Sequence, residues 1–403
     1  MKKFNYLLIF LLPITFLAII IHFNFFSVKE KIYKKFPNLQ IRKHIFSNEP
    51  VYQKINNDYN VKFLPQTEYL KLELKKKKIN FNLEYYKGNN NKKNISYGKY
   101  GTFFVDIKDE LIFITDYLGN IYHTNLESII DDNKKLNVVQ IENNLKGIER
   151  IYDVLVNENN FFISYVKEIE NCRKIFVSVS DINLDNLDFK NIFVSETCNE
   201  QASPGRIQVF NKNNKKGLIM SISSGAYNSP SEESQNQNSI YGKIIFIDLD
   251  SKKYSIYSKG HRVVQGLAVN DELIIATEHG PRGGDEINII EEEKNYGWPI
   301  ASYGEKYDFN YNHKPYFKKN HEEHGFEEPI FSFIPGIGIS EIIKLPKNFS
   351  EMLENVYIVS SLYGKSIFFV KFDTKFKKVI FYEKIFLNER IRDLKFVKGK
   401  KII

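Results

Sequence analysis

The residues best suited to chemistry lie in one segment of the second half of the chain, between Gly260 and Tyr307. It contains the run HGPRGG, from His279 to Gly284, whose glycines and proline predict a tight and rigid turn. Such a turn presents backbone carbonyl oxygens, which are suitable ligands for a hard cation such as calcium. The turn is therefore a candidate site for a ligand or a cation.

Three arginines are candidates for binding an anion. Arg262 lies shortly before the turn, whereas Arg390 and Arg392 stand two residues apart near the C-terminus. Residues i and i+2 of a β-strand lie on the same face, so a strand here would present both guanidinium groups to one ligand. Guanidinium groups bind carboxylates through paired hydrogen bonds. Two arginines at this spacing are suited to hold one acidic ligand, and an ion pair at the start of a strand is the other interpretation.

The same segment resembles the glucose/sorbosone dehydrogenase family, soluble aldose sugar dehydrogenases that use pyrroloquinoline quinone (PQQ). The likeness is carried by three stretches of sequence, GHRVVQGLAVN, TEHGPRGGDEINII and KNYGWPIASYG. It is dense between Gly260 and Tyr307 and thinner over the rest of residues 97–403. One such stretch alone would be a weak signal, but their order and spacing together are specific.

The resemblance implies a set of site residues. Arg262, Arg390 and Arg392 match arginines that contact the cofactor, and the carbonyls of Gly280 and Pro281 match those that hold a calcium ion bridging to PQQ. The implied reaction oxidises an aldose at C1. A base, usually histidine, takes the hydroxyl proton while hydride leaves for the quinone.

The expected base is missing from this chain. In the family, a histidine shortly precedes a Gly-Arg-Ile landmark; here the landmark is Gly205-Arg206-Ile207, and the histidine position is occupied by Ala202. The aspartate that orients this histidine falls near Ser224. The catalytic residue is therefore unknown, and we expect weakened or lost activity.

Further departures affect the predicted cofactor pocket. Val263 stands where the family has an asparagine, and Tyr363 aligns with a family lysine. His261 and His279 are the histidines nearest in sequence to the pocket, and either is a candidate substitute base.

The rest of the chain predicts an all-β fold. Short β-rich runs of the type polar turn, then L-I-x-I, recur near residues 112, 162, 219, 274 and 357. Intervals of roughly 50 residues are typical of four-stranded propeller blades, and we predict a six-bladed β-propeller. Because a ring must close its last blade, we expect Tyr69–Leu74, together with Ile79–Leu83, to supply outer strands.

The N-terminus predicts a membrane anchor. Lys2 and Lys3 precede a nearly unbroken apolar run from Phe4 to Phe26, long enough to cross a bilayer and longer than a cleaved signal peptide requires. We expect three regions: a signal anchor at 1–27, a polar juncture at 28–95 and the propeller at 96–403. This organisation predicts a protein of the bacterial inner membrane whose propeller faces the periplasm, near a quinone or cytochrome electron acceptor.

Charge and cysteines add two expectations. The net charge is +8, but the lysines are scattered and no nucleic-acid-binding module accompanies them, so we expect no nucleic-acid partner.

Cys172 and Cys198 are the two cysteines. In an exported protein they would form a disulfide, whereas in the cytosol they would be separate thiols.

Two functions remain open on this sequence. One is a PQQ- and calcium-dependent aldose dehydrogenase. The other is a non-catalytic propeller that binds a saccharide or a protein, which the missing base favours. A hydrolytic propeller such as a calcium-dependent lactonase is a third alternative, but no carboxylate and asparagine cluster for it is evident.

Overall fold

The computed structural model describes residues 58–62, 69–75, 103–131, 133–201, 203–225, 232–306, 317–349, 353–397 and 401–403. The predicted signal anchor at 1–27, Ile79–Leu83 and Ala202 lie outside these residues. No helix among the described residues has the length and hydropathy needed to span a membrane. A short α-helix, α1 (Leu126–Ile130), begins after Asn125, whose side chain accepts a hydrogen bond from Glu127 N at 2.8 Å.

Strands dominate the fold, and five sheets follow one another along the chain as propeller blades. Blade 1 is β3 (Phe103–Lys108), β4 (Leu111–Asp116), β5 (Ile121–Asn125) and β6 (Val139–Asn143), with β10 (Asn186–Leu187) added parallel to β6. Blade 2 is β7 (Ile148–Asn157), β8 (Asn160–Ile169), β9 (Cys172–Asp181) and β11 (Lys190–Val194). Blade 3 is β12 (Pro204–Lys212), β13 (Lys215–Ile222), β14 (Lys243–Asp248) and β15 (Tyr254–Lys259). Blade 4 is β16 (Val264–Asn270), β17 (Leu273–Glu278), β18 (Asp285–Ile290) and β19 (Phe331–Phe333). Blade 5 is β20 (Ile339–Lys344), β21 (Val356–Ser361), β22 (Ser366–Phe372) and β23 (Val379–Phe386).

Two-residue turns join the first two strands of blades 1 to 4. In blade 3, for example, Lys212 pairs with Lys215, and the intervening Asn213 and Asn214 have φ values of 50° and 63°. Turns with positive φ at both central residues match the twist of the flanking strands, and asparagine tolerates this conformation. The polar turns read from the sequence are therefore these hairpin turns, and the L-I-x-I runs are second strands.

Hydrophobic cores lie between neighbouring blades. The first strands contact one another in chain order, from β3 through β7, β12 and β16 to β20, and each gap is filled by side chains of both blades. The core between blades 2 and 3, for example, packs Val177 of β9 against Ile207 of β12 and Leu218 of β13, all fully buried. This packing holds the first strands around a common centre.

The predicted count of six blades is not reached, because the described residues form five blades and two separate hairpins. One hairpin pairs β1 (Asp58–Lys62) with β2 (Tyr69–Glu73), and the other pairs β24 (Phe396–Val397) with β25 (Lys401–Ile402). Both have side chains in the core of blade 5, including the fully buried Val61. Val397 of β24 also packs in the core of blade 1. The C-terminal hairpin therefore lies between blades 5 and 1.

Candidate functional site

A cavity of about 520 Å³ opens among the first strands of the blades. All five blades or their connecting loops contribute to it, as does the segment after blade 5. The lining residues that matter below are Arg150, Tyr152, Ser203, Gly205, Arg206, Arg262, Val263, Gln265, His279, Gly280, Pro281, Asp285 and Arg392. The tertiary structure thus brings four of the five predicted cofactor residues together. Arg390, the fifth, is exposed and does not line the cavity.

The glycine-rich turn is held in place by Asp285. Its Oδ1 accepts a hydrogen bond from Gly280 N at 3.0 Å, and its Oδ2 accepts bonds from Ile337 N at 2.8 Å and Ile339 N at 3.0 Å. Gly284 has a φ of +63°, and a Cβ there would lie 2.2 Å from Gly304 N. The turn therefore needs glycine at this position, and it packs between blades 4 and 5.

Arg262 is positioned by three neighbours. Its backbone N–H donates to Glu278 Oε1, its Nη1 donates to His279 O at 3.1 Å, and its guanidinium lies 5.3 Å from the Trp298 ring centroid. Trp298, in the NYGWP stretch, thus packs beneath a cavity-lining arginine and is itself buried. The residue is held where it can face a ligand.

Arg392 reaches the cavity from an irregular segment, not from the predicted strand. The chain around Arg390 and Arg392 has no regular secondary structure, so the expectation of two arginines on one strand face is wrong. Arg390 instead donates to Leu362 O at 3.4 Å. Arg392 O accepts hydrogen bonds from Arg206 Nη2 at 2.8 Å and from Ser340 Oγ at 2.9 Å. Because these side chains take the place of the backbone donors of a neighbouring strand, the segment does not join a sheet.

Arg392 is half-buried, and its guanidinium lies beside a neutral partner. Its Nη1 donates to Gln265 Oε1 at 2.6 Å. Burial, together with the neighbouring charges of Arg206, Arg150 and Arg390, lowers the pKa of Arg392 to about 9. The site therefore carries positive charge that an anionic ligand would stabilise.

A buried ionic cluster lies behind the cavity, centred on Arg206. Its Nη1 lies 2.7 Å from Asp153 Oδ1 and 3.2 Å from Asp393 Oδ1, and its Nη2 lies 2.9 Å from Glu341 Oε2. These carboxylates come from β7, from β20 and from the segment before β24, so the cluster joins distant parts of the ring. Arg206 is therefore paired within the protein, whereas Arg392 forms no ion pair with the residues that the structure describes.

The two histidines proposed as substitute bases have different surroundings. His261 is fully buried outside the cavity, between Ser258 Oγ at 2.8 Å and Glu278 Oε2 at 3.1 Å, and stacks on Tyr296. His279 lines the cavity with its side chain 23% exposed, and its Nδ1 lies 3.6 Å from Asp285 Oδ1. Burial acts to raise the pKa of Asp285, but contacts that include His279 keep this pKa below its usual value. Of the two, only His279 can meet a bound molecule.

Comparisons with known proteins identify the family. The sequence profile of the glucose/sorbosone dehydrogenase family matches residues 104–402. The chain belongs to the glucose/sorbosone dehydrogenase family. The aldose sugar dehydrogenase YliI of Escherichia coli is 48% identical over 64 residues, which is 15% of this chain and 17% of that protein. An uncharacterised Synechocystis protein, slr1608, is 39% identical over 113 residues, 22% of this chain and 27% of that protein. These alignments therefore span under a third of the curated relatives.

Solved structures share the propeller fold. The apo-form of the soluble aldose sugar dehydrogenase of E. coli superposes with a TM-score of 0.59 at 21% identity, covering 74% of this chain and 90% of that chain. At this identity the likeness concerns the fold alone. It places the matched part of the chain within the architecture of the family.

The family's usual base position departs from the pattern in this chain. Ala202 lies outside the described residues, but the next residue, Ser203, is buried and lines the cavity at the start of blade 3. Ser224, where the orienting aspartate is expected, is fully buried, and no hydrogen bond reaches its Oγ within the described part of the chain. Val263 also lines the cavity.

Cys172 and Cys198 form a disulfide with a Cα–Cα distance of 5.2 Å. It joins the start of β9 to the connection between blades 2 and 3. That connection leads directly to Ser203, so the disulfide restrains the cavity wall near the family's base position.

Sequence reasoning missed several residues of this site. Arg150 and Tyr152 of β7 and Gln265 of β16 line the cavity, but no motif marks them. Arg206 was visible as part of the family landmark, yet its role in the ionic cluster depends on Asp153, Glu341 and Asp393, which are far apart in sequence. The signal for that role was the presence of an arginine inside a first strand, where a buried charge needs partners.

Proposed function

We propose that this protein catalyses the PQQ- and calcium-dependent oxidation of aldose sugars, with activity weakened by the loss of the usual base. The observation that carries the proposal is the cavity itself. It combines Arg262, the Gly280–Pro281 turn and the half-buried Arg392, whose positive charge faces a neutral glutamine. The family relationship supports it, as does the similarity to the aldose sugar dehydrogenase YliI of E. coli.

The residues present fit the cofactor. PQQ is a planar tricarboxylate, and a half-buried arginine whose pKa is lowered by burial and by other arginines favours an acidic ligand. Arg262 and Arg392 would hold its carboxylates, with Arg390 outside the cavity. Gly280 and Pro281 would offer carbonyl oxygens to calcium, a hard cation that prefers oxygen ligands.

When bound, PQQ supplies the two-electron oxidant that accepts hydride from the sugar C1. The chain's own residues then have three tasks: to hold the sugar against the cofactor, to exclude water and to accept the C1 hydroxyl proton. With Ala202 unable to take the proton, His279 is the histidine that lines the cavity, and its Nδ1 faces Asp285. This pairing leaves Nε2 as the atom for accepting a proton. Asp285 thus both orients His279 and holds the glycine-rich turn in place.

A second candidate function is a non-catalytic propeller that binds a saccharide or a protein partner in the same cavity. Ala202 and the buried Ser224 favour it, since together they remove the usual base and its orienting group. Turnover measurements decide between the two functions.

Placement and ring closure complete the proposal. The apolar N-terminal run would anchor the protein in the bacterial inner membrane with the propeller in the periplasm, near a quinone or cytochrome acceptor. The Cys172–Cys198 disulfide supports an oxidising compartment.

The hairpins β1–β2 and β24–β25 would together make a sixth blade. Support comes from the hydrophobic core that they share with blade 5.

The test is a thermal-stability titration of the full chain with PQQ and calcium. A ligand at 100 times its Kd stabilises a protein by about 2.7 kcal/mol, a clear shift in the melting temperature. We expect this shift in the wild type and its loss in Arg392→Gln. Reduction of a dye by aldoses then reports turnover. The absence of any shift in the wild type would refute the cofactor assignment.

A further inference from the structure

Arg150 is an additional cation of the cavity that the cofactor assignment does not use. It is the third residue of β7, and its guanidinium carbon lies 5.0 Å from the Tyr152 ring centroid, with both residues lining the cavity. Its Nε is buried and has no hydrogen-bond partner in the described part of the chain. The neighbouring Glu149 pairs instead with Arg173 at 2.7 Å. Arg150 is therefore held against an aromatic ring with a donor left unused.

Arg150 belongs to a different blade from the cofactor residues, although its charge is close enough to lower the pKa of Arg392. Arg262, Gly280 and Pro281 belong to blade 4 or its loops, and Arg392 lies beyond blade 5. Arg150 belongs to blade 2. Between them, at the start of blade 3, lie Ser203 and the family's base position. Arg150 thus borders the part of the cavity that contains Ser203 and the family's base position.

An unused buried donor on a cation favours an anionic partner, because leaving such a group unpaired costs free energy. Asp285 is the lining carboxylate, and it is occupied by the backbone of the turn and by His279. The planar fork of a guanidinium matches the two oxygens of a carboxylate. A phosphate fits the same fork, so the test below includes a sugar phosphate as the alternative ligand.

We infer that the substrates of this protein are aldoses that carry a carboxylate, such as hexuronic acids, and that Arg150 binds that carboxylate. The inference rests on the proposed function, since it names the class of sugar oxidised in the same cavity. Tyr152 orients the guanidinium by packing against it. Neutral aldoses would leave the Arg150 donors unpaired, so they are expected to be poorer substrates.

The test compares D-glucuronate, D-glucose and D-glucose 6-phosphate as substrates of the full chain loaded with PQQ and calcium. The wild type should have the highest kcat/KM for glucuronate. Arg150→Gln should lower kcat/KM for glucuronate by about 10- to 100-fold, the range of a charge-assisted hydrogen bond, and lower that for glucose by a much smaller factor. Lys167→Gln removes the same charge from β8 of the same blade, outside the cavity, and should change neither.

Several results would overturn the inference: a preference for glucose or for glucose 6-phosphate in the wild type, an equal loss for all sugars in Arg150→Gln, or loss of the PQQ thermal shift in that variant. The last would make Arg150 a cofactor residue. Calorimetric binding of glucuronate gives a readout that does not depend on turnover. Binding that weakens in Arg150→Gln without any sugar oxidation would support the anion site while refuting the dehydrogenase function. If glucuronate neither binds nor is oxidised while the PQQ thermal shift is intact, the anion site is refuted.

Discussion

Nη1 of Arg206 lies 2.7 Å from Oδ1 of Asp153, and both side chains are almost completely buried. The same guanidinium contacts Glu341 and Asp393, and its Nη2 donates to the backbone oxygen of Arg392. One arginine thus joins β7, β12, β20 and the segment that carries a predicted cofactor residue. The relationship links the stability of the ring to the geometry of the cavity.

We predict that Arg206→Met lowers the free energy of unfolding by about 3–5 kcal/mol, because it leaves buried carboxylates without their cation. It should also weaken PQQ binding, since Arg392 loses a backbone contact. Chemical denaturation and the PQQ thermal shift measure the two effects. The matched control is Lys216→Met, which removes an exposed pair with Glu158 and should cost under about 1 kcal/mol. Similar effects of both variants would contradict the role of the cluster.

Glu341 predicts a pH dependence of stability. Burial raises the pKa of Glu341 to about 8, although the positive charge of Arg206 acts to lower it. In the unfolded chain the pKa of this carboxyl is near 4.5. A carboxyl with a raised pKa stabilises the fold while it is protonated, and this contribution is lost as the pH rises from about 4.5 to 8. The free energy of unfolding should fall in this window with a slope of at most about 1.4 kcal/mol per pH unit from this group.

Glu341→Gln tests this assignment because glutamine keeps an oxygen for Ile342 N, which donates to Glu341 Oε1 at 2.8 Å. The difference in stability between wild type and variant should change across pH 5–8. A constant difference would show that another group titrates in its place.

The disulfide is expected to stabilise the fold by about 3–4 kcal/mol, because cross-linking a loop of this length restricts the unfolded chain. The double variant Cys172→Ala/Cys198→Ala should therefore unfold at lower denaturant concentration. Reduction of the wild type should reproduce the loss, and a reductant should not affect the variant further. A variant as stable as the oxidised wild type would show that the loop is held by its other contacts, such as Asn199 N with Arg173 O at 3.2 Å.

Restoring the base should restore turnover. Ala202→His is predicted to raise kcat for sugar oxidation by about 10²–10⁴-fold, the usual contribution of a positioned general base, without changing PQQ affinity. Ala202→Gln supplies a polar side chain without a base and should not raise kcat. In the wild type, His279→Gln should abolish the residual activity, and it should have a smaller effect once His is present at position 202. An unchanged kcat in Ala202→His would contradict the assignment of this position.

Ring closure predicts a role for the hairpin β1–β2. Val61→Asp places a charge in the core shared with blade 5 and should destabilise the protein by about 3 kcal/mol or more. Val139→Asp on β6, where the side chain is 41% exposed, is the matched control and should have little effect. Equal stabilities of the two variants would show that the hairpin does not contribute to the stability of the fold.

The propeller architecture could be read from the sequence because its signals are local. The second strands of the blades are continuous apolar runs that follow two-residue polar turns, and both features are set by neighbouring residues. The blade count was predicted less well. The strands β24 and β25 have only two residues each, and part of their packing comes from blade 1, at the other end of the propeller sequence.

The sequence by itself determined the hairpins, the glycine-rich turn, the family and the departure at Ala202, since each depends on residue types at fixed, short spacing. Only the tertiary structure decided that Arg392 enters the cavity while Arg390 does not, and that Arg150 joins it from blade 2. It also decided that His279 faces the cavity while His261 is buried outside it. The physical reason is that a propeller cavity is assembled from the ends of strands far apart in sequence. Which side chain reaches it depends on the packing of neighbouring blades and on the partners that a buried charge finds there.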